Sequence, residues 1–75
     1  MTDEKEIGRL VRTIRERLNL SQERLAAKLG VTFSSVNRWE NGRANPSPLA
    51  MRQLEQLVDG LGPEGDHLRA EFFST

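Results

Sequence analysis

The segment of residues 33–43 carries several polar side chains that can hydrogen-bond to a partner. At helical spacing, Ser34, Asn37 and Arg38 point roughly to one side, and no acidic residue lies among them. The guanidinium of Arg38 can donate two parallel hydrogen bonds, whereas a serine hydroxyl can either donate or accept. These residue types favour binding to a polar or anionic surface.

Residues that commonly carry catalysis or bind metals are sparse. The chain has no cysteine, and its sole histidine, His67, lies in a C-terminal segment together with Glu64 and Asp66. The three glycines between residues 60 and 65 do not follow a strand, so they do not form a phosphate-binding loop. We therefore expect no enzymatic activity, no cofactor and no metal site.

Composition indicates one small folded domain. The 75 residues are 36% hydrophobic and 29% charged, which suits a compact domain better than a disordered chain. Apolar runs of two or three residues are too short to span a bilayer, and the acidic N-terminus does not resemble an export signal, so we expect a cytoplasmic protein. The net charge is zero, but residues 1–45 carry nine Lys/Arg against six Asp/Glu, and residues 46–75 carry two against five. The first part is therefore the one suited to an anionic partner.

Hydrophobic periodicity and capping residues predict an all-α fold, a compact bundle of four to five short helices. The predicted helices run from about residue 4 to 18, from Gln22 to about Leu29 and from Phe33 to about Asn41, a fourth begins at Pro48, and a last short helix begins at Pro63. Ser21, Thr32 and Ser47 can each cap the helix that follows, and Gly30 permits a left-handed turn after the second helix. We expect one domain over residues 1–75, with a core at about 4–61 and with 62–75 as a C-terminal extension or short helix.

The order of small and apolar residues across the second and third predicted helices indicates that the two cross closely. Ala26 lets the second helix approach the third, Gly30 makes the turn, and Val31 and Val36 fill the angle between the helices. The sequence LSQERLAAKLGVT, followed by WENGR and by a proline at a helix start, resembles the repressor-like, or Cro/XRE-type, helix-turn-helix DNA-binding family. The resemblance covers most of the chain, from about residue 7 to 61.

The resemblance implies a sequence-selective regulator of transcription that binds double-stranded DNA, with a recognition helix at about residues 33–41 in the major groove. It also implies a homodimer on an inverted repeat, since one short helix reads only a few base pairs. The dimer surface is expected from the fourth helix onward, with Leu68 and Phe72 as exposed apolar candidates. An alternative is an interaction protein, such as the antitoxin of a toxin pair, that holds a protein partner through its acidic C-terminal part. A small-ligand or stress sensor is a third possibility, although few apolar residues remain to line a pocket.

The resemblance also implies DNA contacts for individual residues. The base-facing positions of the family correspond to Thr32, Phe33, Ser34, Asn37 and Arg38. The positions that contact phosphates correspond to Gln22, Ser35, Asn41 and Arg43. In some relatives a salt bridge joins the first and third helices at the positions of Arg15 and Glu40.

The predicted recognition helix departs from the family pattern in its first turn. Relatives often carry Gln or Arg there, whose paired hydrogen bonds distinguish adenine or guanine, whereas this chain has Phe33 followed by two serines. Phe33 can lie against a thymine methyl group or pack beside its own helix cap, and Arg38 can bind a guanine or a phosphate. Trp39 is expected in the core. Base specificity is therefore expected to be modest, or to depend on Arg38 and on DNA shape.

Overall fold

Five helices form the computed structural model of the protein, which describes residues 4–72 and the side chains from Glu6 to Phe72. In chain order they are α1 (Glu4–Arg17), α2 (Gln22–Leu29), α3 (Phe33–Glu40), α4 (Pro48–Asp59) and α5 (Pro63–Phe72). The predicted all-α class is confirmed, and the last predicted helix is a full element of the bundle. None of the described helices is long and apolar enough to cross a membrane.

Local capping explains why the helices begin where the sequence predicts. The side-chain oxygens of Ser21, Thr32 and Ser47 each accept a hydrogen bond from the backbone N–H three residues later, over 3.1, 3.2 and 3.2 Å. Each bond satisfies one of the backbone N–H groups that a helix start leaves unpaired. Gly30 ends α2 in the left-handed region, with φ of 72°, where a residue without Cβ is least strained. The turn between α2 and α3 is therefore only three residues long.

The hydrophobic core draws side chains from all five helices. Leu10 and Ile14 of α1, Leu25 of α2, Val36 of α3 and Leu54 of α4 are fully buried. Trp39 is also in the core, as predicted, with 5% of its surface exposed. This burial of apolar surface is the main force that holds the short helices together.

Two glycines allow helices to approach more closely than a side chain would permit. A Cβ atom at Gly8 of α1 would lie 2.5 Å from the carbonyl oxygen of Trp39 in α3. A Cβ atom at Gly65 of α5 would collide with the carbonyl oxygen of Val58 in α4. The first contact brings α1 against α3, and the second brings α5 against α4.

The prediction that Leu68 and Phe72 are exposed candidates for a dimer surface is wrong. Only 4% and 8% of their respective surfaces are exposed, because α5 folds back and places both side chains in the core. The guanidinium of Arg9 covers the ring of Phe72, 5.1 Å from its centroid. The large apolar side chains that are exposed in the described region are instead Phe33 and Leu49.

Ion pairs join the basic first helix to the acidic last one. Arg9 lies 3.1 Å from Glu71, and Arg17 lies 3.2 Å from Glu64. All four side chains are about half exposed or more, so each pair contributes little to stability. Their effect is on the charge distribution, because they neutralise two arginines of α1.

Candidate nucleic-acid interface

The α2–turn–α3 unit holds a short helix against the core with its polar side outward. The backbone N–H of Val31 donates to the carbonyl of Ala26 over 2.9 Å, which closes the turn after Gly30. Ala26 is 3% exposed, and α2 packs against α3. On α3, Val36, Trp39 and Glu40 are buried, whereas Phe33, Ser34 and Arg38 are exposed to solvent.

The exposed side of α3 carries three of the predicted base-facing residues. Ser34 and Arg38 are exposed, and Phe33 exposes 47% of its surface. Phe33 therefore does not pack fully beside its own helix cap. These three side chains can meet a partner that approaches α3 from the solvent.

The hydroxyl groups at the start of α3 already have partners within the protein. Thr32 Oγ1 accepts from the backbone N–H of Ser35 and lies 3.0 Å from Ser35 Oγ. Thr32 is exposed and Ser35 is half-buried. Thr32 caps the helix, and both hydroxyls retain further hydrogen-bonding capacity.

Glu40, at the end of α3, is a buried acceptor for donors from α1 and α2. Arg15 binds its carboxylate with two nitrogens, Nε at 2.7 Å from Oε2 and a terminal nitrogen at 3.0 Å from Oε1. Gln22 Nε2 donates to Oε1 over 3.0 Å, and Arg12 Nε lies 3.4 Å from the same oxygen. The Glu40 side chain has no exposed surface. Because Glu40 is drawn inward, its carboxylate does not lie on the exposed side of α3.

The environment of Glu40 favours its charged form. Burial by itself raises the pKa of this carboxyl, but hydrogen bonds from Arg15 and Gln22 and the charge of Arg15 outweigh it, so the pKa lies below its ordinary value. The hydrogen bond to Glu40 in turn raises the pKa of Arg15, against the opposing effect of burial. The pair therefore remains ionised at neutral pH.

Three amide side chains, Gln22, Asn37 and Asn41, form a network along α3. Asn37 Nδ2 donates to Gln22 Oε1 over 3.2 Å, and Asn37 Oδ1 accepts from Asn41 Nδ2 over 3.1 Å. Asn41 Nδ2 also donates to the backbone carbonyl of Asn37 over 2.9 Å. This amide network joins the start of α2 to the end of α3.

The loop after α3 presents Arg43 to solvent. Gly42 adopts a positive φ of 69°, and the backbone N–H of Arg43 donates to the carbonyl of Arg38 over 2.9 Å. Arg43 is exposed. The loop therefore starts as a tight turn, with the exposed Arg43 beyond the end of α3.

Comparison with known proteins gives one match, to a family described as helix-turn-helix, over residues 11–60. The matched region runs from α1 to just beyond the end of α4 and includes the whole α2–turn–α3 unit. The chain belongs to this repressor-like, Cro/XRE-type helix-turn-helix family. The family binds DNA and is not enzymatic, so the chain is a DNA-binding regulator of the XRE type. No curated protein and no solved structure matches it.

Charge in this helix-turn-helix domain is distributed unevenly among the described helices. Arg24 and Lys28 of α2, Arg38 of α3 and Arg43 form no ion pair within residues 6–72, and all four are exposed. Glu23 is the only exposed acidic residue between residues 18 and 45. The DNA-binding motif and its following loop therefore retain their cations, while two arginines of α1 are paired with α5.

Two features of the interface were not predicted from the sequence. The first is that Arg12 lies beside Glu40. Its position three residues before Arg15, on the same side of α1, is the signal that suggests this contact. The bond between Gln22 and Asn37 joins residues 15 positions apart on different helices, and no sequence pattern indicates it.

Proposed function

We propose that this helix-turn-helix domain is a sequence-selective regulator that binds double-stranded DNA as a homodimer on an inverted repeat, with α3 in the major groove. The observation that supports this best is the composition of the exposed side of α3. Phe33, Ser34 and Arg38 are displayed there, while Glu40 is held inside by Arg15. An α-helix fits the width of the major groove, and these side chains can reach base edges there.

Base reading depends chiefly on Arg38 and Phe33. Arg38 has an exposed guanidinium that can donate to O6 and N7 of one guanine. Phe33 has enough exposed surface to cover a thymine methyl group. Ser34 and Thr32 add hydroxyl contacts of lower discrimination, since a hydroxyl can either donate or accept.

Phosphate contacts lie on either side of these base-reading residues. Gln22 and Ser35 lie at the starts of α2 and α3, and Asn41 and Arg43 lie at and beyond the end of α3. Backbone N–H groups at helix starts favour anions, and Arg43 adds a positive charge. These contacts position the domain on DNA without reading its sequence.

Selection of bound duplexes from a random pool tests the proposed function. We expect an enriched inverted repeat whose half-sites are centred about one helical turn apart, roughly 34 Å. Affinity for that duplex should fall steeply as salt rises, and it should exceed the affinity for a scrambled duplex of the same length. Recovery of no enriched sequence, with equal binding to all duplexes, would contradict sequence-selective recognition.

The structure weakens the basis for an interaction protein as the main function. That alternative relies on the acidic C-terminal part of the chain as a partner surface. In α5, Glu64 and Glu71 instead pair with Arg17 and Arg9 of the same chain. The DNA-binding regulator is therefore the proposal that we carry forward.

A further inference from the structure

The amide network of Gln22, Asn37 and Asn41 lies between two groups that can only accept hydrogen bonds. At one end, Gln22 donates to the buried Glu40 carboxylate, 3.0 Å away. At the other end, Asn41 donates to the backbone carbonyl of Asn37, 2.9 Å away. Each acceptor fixes the orientation of the amide next to it, because only the NH₂ group of that amide can donate to an acceptor.

The two ends impose the same orientation on all three amides. Since Gln22 must point its NH₂ group at Glu40, its oxygen faces Asn37, which must then donate to it. Asn37 consequently turns its own oxygen toward Asn41, which must donate in return. Starting from Asn41 leads to the same assignment. Every contact in the amide network therefore joins one donor to one acceptor.

The orientation of Gln22 determines what it offers to a ligand. One of its two amide hydrogens is taken by Glu40, and no other acceptor for this group lies within residues 6–72. The second hydrogen remains available to an acceptor such as a phosphate oxygen. If the amide were reversed, its oxygen would face Glu40 and repel the carboxylate.

Asn37 itself is placed between two helices. It is half-buried, and both its amide oxygen and its amide nitrogen have side-chain partners. Arg38 and Ser34, by contrast, are exposed. A direct contact between Asn37 and a base edge would have to use the second amide hydrogen or the second lone pair of this half-buried side chain, while its bonds to Gln22 and Asn41 hold the amide in place.

We propose that Asn37 is a positioning residue, which holds Gln22 with its free N–H toward a phosphate of the bound DNA, and that it does not read a base. This inference rests on the proposed function and deepens it. Asn37 then acts on DNA binding through Gln22 and makes no base contact of its own. Asn37 then contributes to affinity for all DNA sequences equally.

A double-mutant cycle on DNA affinity tests the proposal. The variants are Asn37→Ala, Gln22→Ala and the double variant, each titrated at fixed salt with the duplex selected by the wild-type protein and with a scrambled duplex. We expect Asn37→Ala to weaken binding to both duplexes by a similar factor, about 3- to 10-fold, as for the loss of one hydrogen bond. In the Gln22→Ala background, Asn37→Ala should have almost no effect.

The control is Gln56→Ala, which removes an exposed amide from α4 and should leave affinity unchanged. Circular dichroism confirms that each variant is folded. If Asn37→Ala instead relaxes the preference at one base pair, and does so equally with and without Gln22, then Asn37 reads a base and the proposal is overturned.

A measurement on the free protein separates this proposal from the proposed function. The side-chain NH₂ resonances of Gln22 should shift and exchange faster with water in Asn37→Ala, but not in Gln56→Ala. Unchanged Gln22 resonances would overturn the positioning role. A wild-type protein that binds no duplex would overturn the proposed function and the DNA role of Asn37 with it, even if the resonances shift.

Discussion

At the scale of single residues, Arg38 and Arg43 are expected to contact DNA in different ways. Arg43 lies in the loop after α3, so Arg43→Ala should weaken binding to all sequences alike and reduce the salt dependence by about one ion. Arg38 is exposed on α3, so Arg38→Ala should relax the preference at one G·C pair, at a cost of about 1–3 kcal/mol. Titrations with the selected and scrambled duplexes at several salt concentrations measure both effects.

Arg52→Ala is the matched control for these two variants, since it removes one exposed arginine from α4. Arg52→Ala should change DNA affinity less than Arg38→Ala or Arg43→Ala does. If Arg38→Ala lowers affinity equally for both duplexes, then Arg38 contacts a phosphate. Specificity would then come from Phe33 or from DNA shape.

The buried carboxylate of Glu40 makes Arg15 important for stability. Arg15→Ala removes two hydrogen bonds to Glu40 and one to the carbonyl of Leu20 and leaves a buried charge with weaker partners, so we expect a loss of about 3 kcal/mol in unfolding free energy. A double variant, Arg15→Met with Glu40→Met, should be less destabilised than Arg15→Ala, because no buried charge is left unpaired. Urea unfolding followed by the fluorescence of Trp39 measures the difference. If Arg15→Ala loses no more unfolding free energy than the loss of an exposed ion pair would cause, Arg15 is not important for stability.

Glu40 also predicts how stability depends on pH. Its pKa is lower in the folded protein than its ordinary value, so the unfolded chain binds the proton more readily. The resulting stabilisation is complete above the unfolded-state pKa of about 4.3 and is lost as the pH falls through the lower folded-state value. Glu40→Gln should therefore lose less stability than the wild type between about pH 5 and pH 3. Equal losses in urea unfolding over that range would contradict a lowered pKa at Glu40.

At the scale of helices, the close approach of α5 to α4 depends on Gly65. Gly65→Ala should displace α5, since its Cβ would collide with the carbonyl oxygen of Val58, and we expect a loss of at least about 1–3 kcal/mol. Gly60→Ala is the control, because its Cβ would lie 3.5 Å from its nearest neighbour and φ there is −72°. Thermal unfolding of both variants gives the comparison, and equal midpoints would show that α5 is not held tightly against α4.

At the scale of the whole molecule, dimerisation is expected to depend on DNA. One eight-residue recognition helix reads only a few base pairs, so two copies on an inverted repeat are needed for selectivity. Leu68 and Phe72 of α5 are buried in the core and do not provide a ready dimer surface. Sedimentation should show two chains on the full inverted repeat and one on a half-site duplex. A single chain on the full repeat at saturating protein would contradict the homodimer.

The sequence by itself determines the helices and the helix-turn-helix motif. The positions of Ser21, Thr32 and Ser47 predict the helix starts because capping bonds join residues only three apart. The turn at Gly30 is equally local, since it depends on one left-handed residue. Helical periodicity places Val36 and Trp39 inward for the same reason.

Only the tertiary structure decides which partners distant residues find. An i, i+4 pair such as Leu68 and Phe72 shows that one face of a helix is apolar, but not whether the chain folds that face onto its own core or onto another molecule. The amide network likewise depends on where α2 crosses α3, because Gln22 meets Asn37 only once both helices pack on the core. Short-range bonds are encoded in neighbouring residues, whereas contacts between helices depend on the packing of the whole chain.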